Sequence, residues 1–573
     1  MSATAAITRL LRRLVLPPRP DPARSRRIAE VRLVLSAAVV LMVFAAIAAR
    51  VLLLATDEAN ARTAGMIPLP PAERGQILDR KGRLLATNLP ITVLHADPKE
   101  IMDPRDAARR LAPLLPRHDE EALVRLLTKQ TRYVELDRKL TPARHADILG
   151  LGIPGVYFRR STLRSYPSGK LAAHILGQVD KDNNGLAGLE KSLDARLAAG
   201  TDITLSIDAG VQAVVAREIA AQMAQFEAIG GAGVMLDIAS GEVVAMVSLP
   251  DYNPNHFARI DNDARFNRAT LGLYEMGSTF KVLNTAIALE AEATTLDRRY
   301  EVSKPLRLGR FAIRDFHMYD WDLSVPEILV LSSNIGSARM AAEIGAEAQQ
   351  FFLRRLGLFD RMSLEIPELA TPQTPRNWRK TEIATVSYGH GMTVTPLHLA
   401  SAISAASGSG MWVEPTLLSR GGGKPPMGER IFSEETTSAV RSMMRLVVKH
   451  PDGTGNFAEA KGYMVGGKTG TSEKINPDGG YFRDRNIASF AATFPVHDPR
   501  YVLVVMVDEP KGQKHSYGYA TGGWVAAPAA RRIIEHTAPL LGIHPVDENS
   551  PEIRQKLRLD FKIGKEEKTL ASF

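Results

Sequence analysis

The chain has 573 residues, a formal net charge of +9 and no cysteine. Disulfides and thiolate metal sites are thereby excluded, and the length exceeds what one hydrophobic core serves, so several domains are expected. A basic balance suits nucleic acid as a partner. Here, however, eight arginines face only Asp21 and Glu30 within residues 1–32, so most of the excess charge lies in one terminal segment and that class is set aside.

That segment, 1–32, leads into Leu33–Ala55, which is apolar apart from Ser36 and Arg50. At about 1.5 Å per residue the run would make roughly 35 Å of helix, enough to cross a bilayer with some tilt. Arg50 would sit near the outer end, where its long side chain reaches the interface. The positive-inside rule keeps 1–32 in the cytoplasm and sends the rest of the chain outside. A cleavable signal peptide is the competing reading, with Ala46-Ile47-Ala48 as its cut site. The charged lead is long for one, and apolar residues continue past the cut.

Residues 56–72 read as a polar, proline-containing stalk. Arg74 to Ala86 gives a strand, a turn at Arg80–Gly82 and a second strand. Helical patterns follow at Asp106–Leu115 and Asp119–Leu127, and Arg160–Leu197 is turn-rich. No catalytic constellation appears up to Gln225, so 56–225 is expected to be a mixed α+β pedestal. From 226 to 545 the texture changes. Gly233–Ile238 and Glu242–Val247 flank Ala239-Ser240-Gly241 as an antiparallel hairpin. Ser278 opens a helix with Val282, Leu283, Ala286 and Leu289 on its buried face. Strands are expected at 468–472, 487–494 and 501–508, with a last helix over Val525–Leu541. The fold class is therefore α+β and multi-domain, the second domain being an antiparallel sheet with helices on both faces. Residues 546–573 form a charged tail with no visible core, expected to be mobile.

Three separated elements carry chemistry: Ser278-Thr279-Phe280-Lys281, Ser332-Ser333-Asn334 and Lys468-Thr469-Gly470. Residues three apart on a helix share a face, so Lys281 reaches the Ser278 hydroxyl. Serine needs a base, and lysine is one only when its pKa falls far below about 10.4. Burial and a second cation, Lys468, both push in that direction. In this order the three are the S-x-x-K, S-x-N and K-T-G set of serine acyl-transfer enzymes.

Other patterns are decoys. Gly462 to Thr469 fits G-x-x-x-x-G-K-T, but Gly470-Thr471-Ser472 then reads as a strand, whereas a phosphate loop must enter a helix. The 13 histidines include no H-x-x-x-H pair, and His174, His390 and His515 read as structural or surface residues, so no metal site is expected. Asp452-Gly453-Thr454-Gly455 reads as a turn.

These residues resemble the class B penicillin-binding proteins, monofunctional peptidoglycan D,D-transpeptidases. The resemblance extends to Arg74–Ala86, Tyr166-Pro167, Ala173-His174, Asn267-Arg268 and Tyr274-Glu275-Met276-Gly277-Ser278, where the family usually has proline in place of Met276. Gly389–Leu397, Gly466–Thr471, Asp508–Gly512 and Gly523–Pro528 are similar to the division-specific branch. The elongation-specific branch, or a D,D-carboxypeptidase or β-lactamase using water, are the alternatives. The resemblance implies that Ser278 is acylated by a stem peptide ending in D-Ala-D-Ala, or by a β-lactam. Lys281 would act as base, Ser332 as proton relay and Asn334 as support. Lys468 and Thr469 would bind the substrate carboxylate, with Gly470 alongside, and the N–H groups of Ser278 and Thr471 would form the oxyanion hole. It implies no cofactor, a SEDS-family glycan polymerase and other division proteins as partners, and a catalytic domain in the periplasm at the septum of a Gram-negative inner membrane.

Overall fold

The computed structural model describes residues 22–56, 73–309 and 311–557. The first 21 residues, the stalk from 57 to 72 and the chain from 558 on lie outside the described residues. Pro22–Thr56 is a single 35-residue helix, α1. Within it Glu30–Leu52 is long and apolar enough to cross a membrane.

The second unit begins at Glu73. Its pedestal is a five-stranded sheet built from β1 (Ile77–Leu78), β2 (Leu84–Ala96), β3 (Val134–Asp137), β4 (Val156–Ser165) and β5 (Ile203–Thr204). β2 pairs antiparallel with β1, β3 and β4, and β1 runs parallel to β5. Two helices, Pro104–Leu111 and Glu120–Leu127, close a small core at the far end, each N-capped by an aspartate, Asp103 and Asp119. The stretch expected to be turn-rich from Arg160 opens instead as β4, paired with Thr87–Ala96. Its charged residues Arg159, Arg160 and Arg164 hide the strand because little of its length is buried. Arg164 is the exception. It and Arg74 grip opposite oxygens of Glu190, each at 2.7 Å, and Glu190 is completely buried.

The larger sheet runs in the order β8-β9-β10-β6-β7, antiparallel throughout: β6 (Gly230–Asp237), β7 (Val243–Leu249), β8 (Gly466–Ile475), β9 (Tyr481–Phe494) and β10 (Tyr501–Asp508). β10 is buried along its entire length, which explains its unbroken apolar run Val502 to Val507. One face packs α2 (Ala209–Gln225) and the C-terminal helix Ala526–Thr537. A Cβ at Gly233 would lie 2.6 Å from both Ile219 and Val215, so glycine lets α2 approach the sheet closely. The sequence reading put α2 in the pedestal; its packing joins it to the larger sheet. The other face carries α3 (Phe280–Glu290), Pro396–Ser407 and Glu434–Lys449 over a core shared with the base of the pedestal.

The tail expected to be mobile from 546 is docked over its first part. Ile553 packs with Met464 and Val496, and Glu548 accepts from Arg445 at 3.1 Å, Lys449 at 3.0 Å and the Gly462 N–H at 3.3 Å. A charged composition concealed these anchors. The nearby cations hold the Glu548 carboxyl below its usual range. Its contribution is therefore full at neutral pH and lost as pH falls through the carboxylate range. Glu548→Gln should cost about 1–2 kcal/mol at pH 7 and nothing extra once the wild type is protonated. Thermal melts at pH 7 and pH 3 check this.

Candidate active site

The loop that carries Ser278 crosses the edge of the larger sheet. Gly277–Thr279 forms a 3-10 turn that runs into α3, placing Ser278 at the start of the helix. Gly277 takes φ +55, and a Cβ there would lie 2.6 Å from the Thr471 carbonyl oxygen and 3.1 Å from its nitrogen. Only glycine allows this turn to press against β8. Gly470 is equally constrained, since a Cβ would meet Met276 O at 2.4 Å and Ser489 Oγ at 2.3 Å. Met276, where the resembled family usually has proline, is fully buried in the core, and its carbonyl accepts from Thr279 Oγ1 at 2.9 Å.

The three sequence elements meet. Lys281 Nζ donates to Ser278 Oγ at 2.9 Å, Ser332 O at 2.6 Å, Ser332 Oγ at 3.2 Å and Asn334 Oδ1 at 2.7 Å. Lys468 Nζ lies 3.0 Å from the same Ser332 Oγ and 3.1 Å from Thr469 O. Ser332 thus stands between two lysine side-chain nitrogens, both residues completely buried. Burial lowers the Lys281 pKa to about 7 against the opposing charge of Asp315. Burial, and then the neighbouring Lys281, push Lys468 well below its ordinary value. Lys468-Thr469 sits inside strand β8, so the Gly462–Thr469 pattern opens no helix and is not a phosphate loop.

Ser332 adopts φ +62, a left-handed conformation uncommon for serine. Asp315, which sequence reasoning missed, supports it. Its carboxylate accepts from Ser333 Oγ and Asn334 N, both at 2.5 Å, and from Ile335 N at 2.9 Å. It thereby caps the helix that begins at Asn334. Arg314 O fixes the Asn334 amide by accepting from Nδ2 at 3.1 Å. Thr454, read as part of a turn, also belongs here, its hydroxyl 2.8 Å from Thr469 Oγ1 and 3.4 Å from Lys468 Nζ. No sequence spacing announces either residue, because both arrive from loops. His174 is buried, with Nε2 2.8 Å from Ala264 O and burial lowering its pKa to about 4. His515 pairs with Gln225. His390 lies beside the nucleophile turn, since Gly389 O accepts from Gly277 N at 3.2 Å.

Residues 231–535 match the penicillin binding protein transpeptidase domain, and 70–206 match the penicillin-binding protein dimerisation domain. The chain is 39% identical over 495 residues to the probable peptidoglycan D,D-transpeptidase FtsI of Caulobacter vibrioides, covering 84% of each. It is 32% identical over 508 residues to the peptidoglycan D,D-transpeptidase FtsI of Escherichia coli K12, covering 82% of this chain and 84% of the relative. Among solved structures, penicillin binding protein 3 of Mycobacterium tuberculosis, complexed with aztreonam, is similar with a TM-score of 0.66 and 25% identity. That likeness covers 83% of this chain and 98% of the other.

Proposed function

This chain belongs to the class B penicillin-binding proteins and is a serine-type peptidoglycan D,D-transpeptidase of cell division, and from that premise we propose the following roles for its residues. The observation that carries them is the single hydrogen-bonded cluster joining Ser278, Lys281, Ser332, Asn334 and Lys468.

In the free enzyme the short contacts of Lys281 to Ser332 O and Asn334 Oδ1 favour its ammonium form, and Lys468 gives up its charge more readily. Sequence reasoning gave Lys468 a fixed charge; burial beside Lys281 makes that charge depend on substrate. When the terminal carboxylate of a D-Ala-D-Ala stem, or of a β-lactam, docks at Thr469 and Lys468, it draws a proton onto Lys468. Ser332 Oγ passes its proton to Lys468 and takes one from Lys281. Lys281, now neutral, accepts the Ser278 proton as Oγ attacks the carbonyl between the two D-alanines. The N–H groups of Ser278 and Thr471 hold the oxyanion, a contribution of about 3 kcal/mol to the barrier. The close approach of Gly277 and Gly470 to their neighbours supports that placement. The proton then returns from Lys281 through Ser332 to the departing D-alanine, and an amine of a neighbouring stem takes the acyl group.

The test is direct. The protein is labelled with a penicillin, digested and analysed by mass spectrometry. The adduct should map to the peptide containing Ser278 and persist for many minutes. An adduct elsewhere overturns the assignment, and rapid loss with turnover would make the enzyme a hydrolase.

One apolar helix accords with a single-pass membrane protein. We further propose that residues 1–32 stay in the cytoplasm, that the catalytic unit is periplasmic at the septum, and that a SEDS-family glycan polymerase is the membrane partner. The arginine-rich lead supports the orientation. A reporter fused after Ala55 should be active only outside the cytoplasm, and mature protein starting just after Ala48 would refute the anchor.

A further inference from the structure

Glu275, Tyr388, His390 and Tyr481 gather at the nucleophile turn, and the steps described above use none of them. Glu275 stands three residues before Ser278 and is 4% exposed. Its Oε1 accepts from Gly391 N at 2.6 Å and from the Tyr481 hydroxyl at 3.1 Å, whereas Oε2 is buried with no partner. Burial holds this carboxyl above its usual range, as expected of an acid waiting for a cation.

His390 is fixed from three directions. Its N–H donates to Thr385 O at 3.0 Å, Gly389 O accepts from Gly277 N at 3.2 Å, and Gly391 N binds Glu275. Both flanking glycines are left-handed, with φ +80 and +76, and through Gly389 the turn is held against the loop that carries Ser278. The imidazole lies 5.3 Å from the Tyr388 ring and 6.2 Å from that of Tyr481. Nδ1 is 3.4 Å from Tyr388 O, which leaves Nε2 as the free ring nitrogen among the described residues. Burial, and then the Lys281 charge, lower its pKa, which favours the neutral ring.

We propose that this flank is the acceptor subsite: Glu275 with the Tyr388 and Tyr481 rings receives a primary ammonium from the acceptor peptide, and His390 removes its proton. This rests on the acyl-enzyme at Ser278. An arriving R–NH3+ has no lone pair. One proton passes to His390 Nε2, giving imidazolium and R–NH2, and the amine nitrogen bonds the acyl carbon. As the C–O bond to Ser278 breaks, the amine's second proton travels through Ser332 and Lys281 to Ser278 Oγ. The imidazolium, whose residue is only partly buried, releases its proton to water. Carboxylate and aromatic faces are the groups that attract an ammonium. The titratable groups facing His390 are Lys281, Glu275, Tyr388 and Tyr481, with Glu473 acting on Tyr481.

The full-length protein in detergent is acylated by an N-acyl-D-alanyl thioester. The acyl-enzyme is then offered a tripeptide with a free side-chain amine, or the same tripeptide with that amine acetylated. The ratio of aminolysis to hydrolysis is followed against pH; it does not depend on how fast Ser278 is acylated. His390→Gln should lower the ratio at pH 7 at least about tenfold and recover near pH 10, where the amine deprotonates unaided. Glu275→Gln keeps an acceptor for Gly391 and Tyr481 but removes the charge. It should raise the acceptor concentration for half-maximal aminolysis about tenfold without moving the pH limb. If either variant does not fold, the other decides. Ratios unchanged in either variant, or lowered equally at every pH by His390→Gln, overturn the proposal. A penicillin adduct away from Ser278 would instead remove the reading beneath it.

Discussion

Lys281→Arg is expected to slow acylation by a penicillin at least about a thousandfold, whereas Lys468→Arg should keep a measurable fraction, at least tenfold faster than the first variant. The difference lies in what each nitrogen must do. Lys281 has to carry a lone pair while 2.9 Å from Ser278 Oγ, and arginine has none at usable pH. Lys468 gains its charge through Ser332 and then faces a carboxylate; arginine carries that charge from the start, so the relay is lost and Lys281 has to shed its proton to solvent, which leaves only a fraction of the rate. The fully buried pocket around Lys468 will still charge the larger guanidinium for its shape. In the wild type, a Lys281 pKa of about 7 means that the base form grows as pH rises through that value. The acylation rate should therefore rise with pH to about 7 and then level. Rapid-mixing rates with one penicillin across pH 5 to 9 check both statements. If Lys281→Arg reacts faster than Lys468→Arg, Lys468 with Ser332 is the base pair and the roles are exchanged.

Asp315→Ala is expected to lower acylation about a hundredfold, although the hydrogen bonds of Asp315 go to Ser333, Asn334 and Ile335 rather than to Ser278 or Lys281. Its carboxylate holds Ser333 Oγ and the first two N–H groups of the Asn334 helix. Bonds to a charged group are worth about 1.5–3 kcal/mol each, so releasing them frees Ser332 from its left-handed backbone and loosens two Lys281 contacts. Asp315→Asn separates geometry from charge. It retains an oxygen for the backbone N–H groups but no longer favours the Lys281 ammonium. The rising limb of the pH profile should consequently move to lower pH, because Lys281 loses its proton more easily. A slower rate with an unmoved limb would mean that Asp315 acts by geometry alone.

How legible was all this beforehand? Ser278, Lys281, Ser332, Asn334, Lys468 and Thr469 were readable because a short spacing within each element fixes which side chains share a face or strand. The strands of the larger sheet were readable too, as runs such as Val502–Val507 have only one place to go. Asp315 and Thr454 were not, since a loop residue meets its partner only after the chain has folded, and an aspartate capping a helix 19 positions onward leaves no local pattern. His390 reads from sequence as structural or surface for the same reason: its neighbours Gly277 and Glu275 lie more than a hundred positions away. β4 was missed because one face of it is wet and carries arginines, and the docked tail because two anchors are lost in a charged sequence.

The clasp of Arg74 and Arg164 on Glu190 has a mechanical meaning. Arg74 is the second residue of the folded unit, so any pull arriving along the polypeptide from the side of residue 72 reaches this buried junction almost at once. Arg74 also donates to the Glu190 carbonyl at 2.8 Å and to Asp194 at 2.7 Å, and Arg164 to the Gly75 carbonyl at 2.8 Å. Force would thus be shared among several bonds loaded together, before the short β1 strand could be peeled from its neighbours one bond at a time. Counted from residue 73, the first rung of this unit is a rivet.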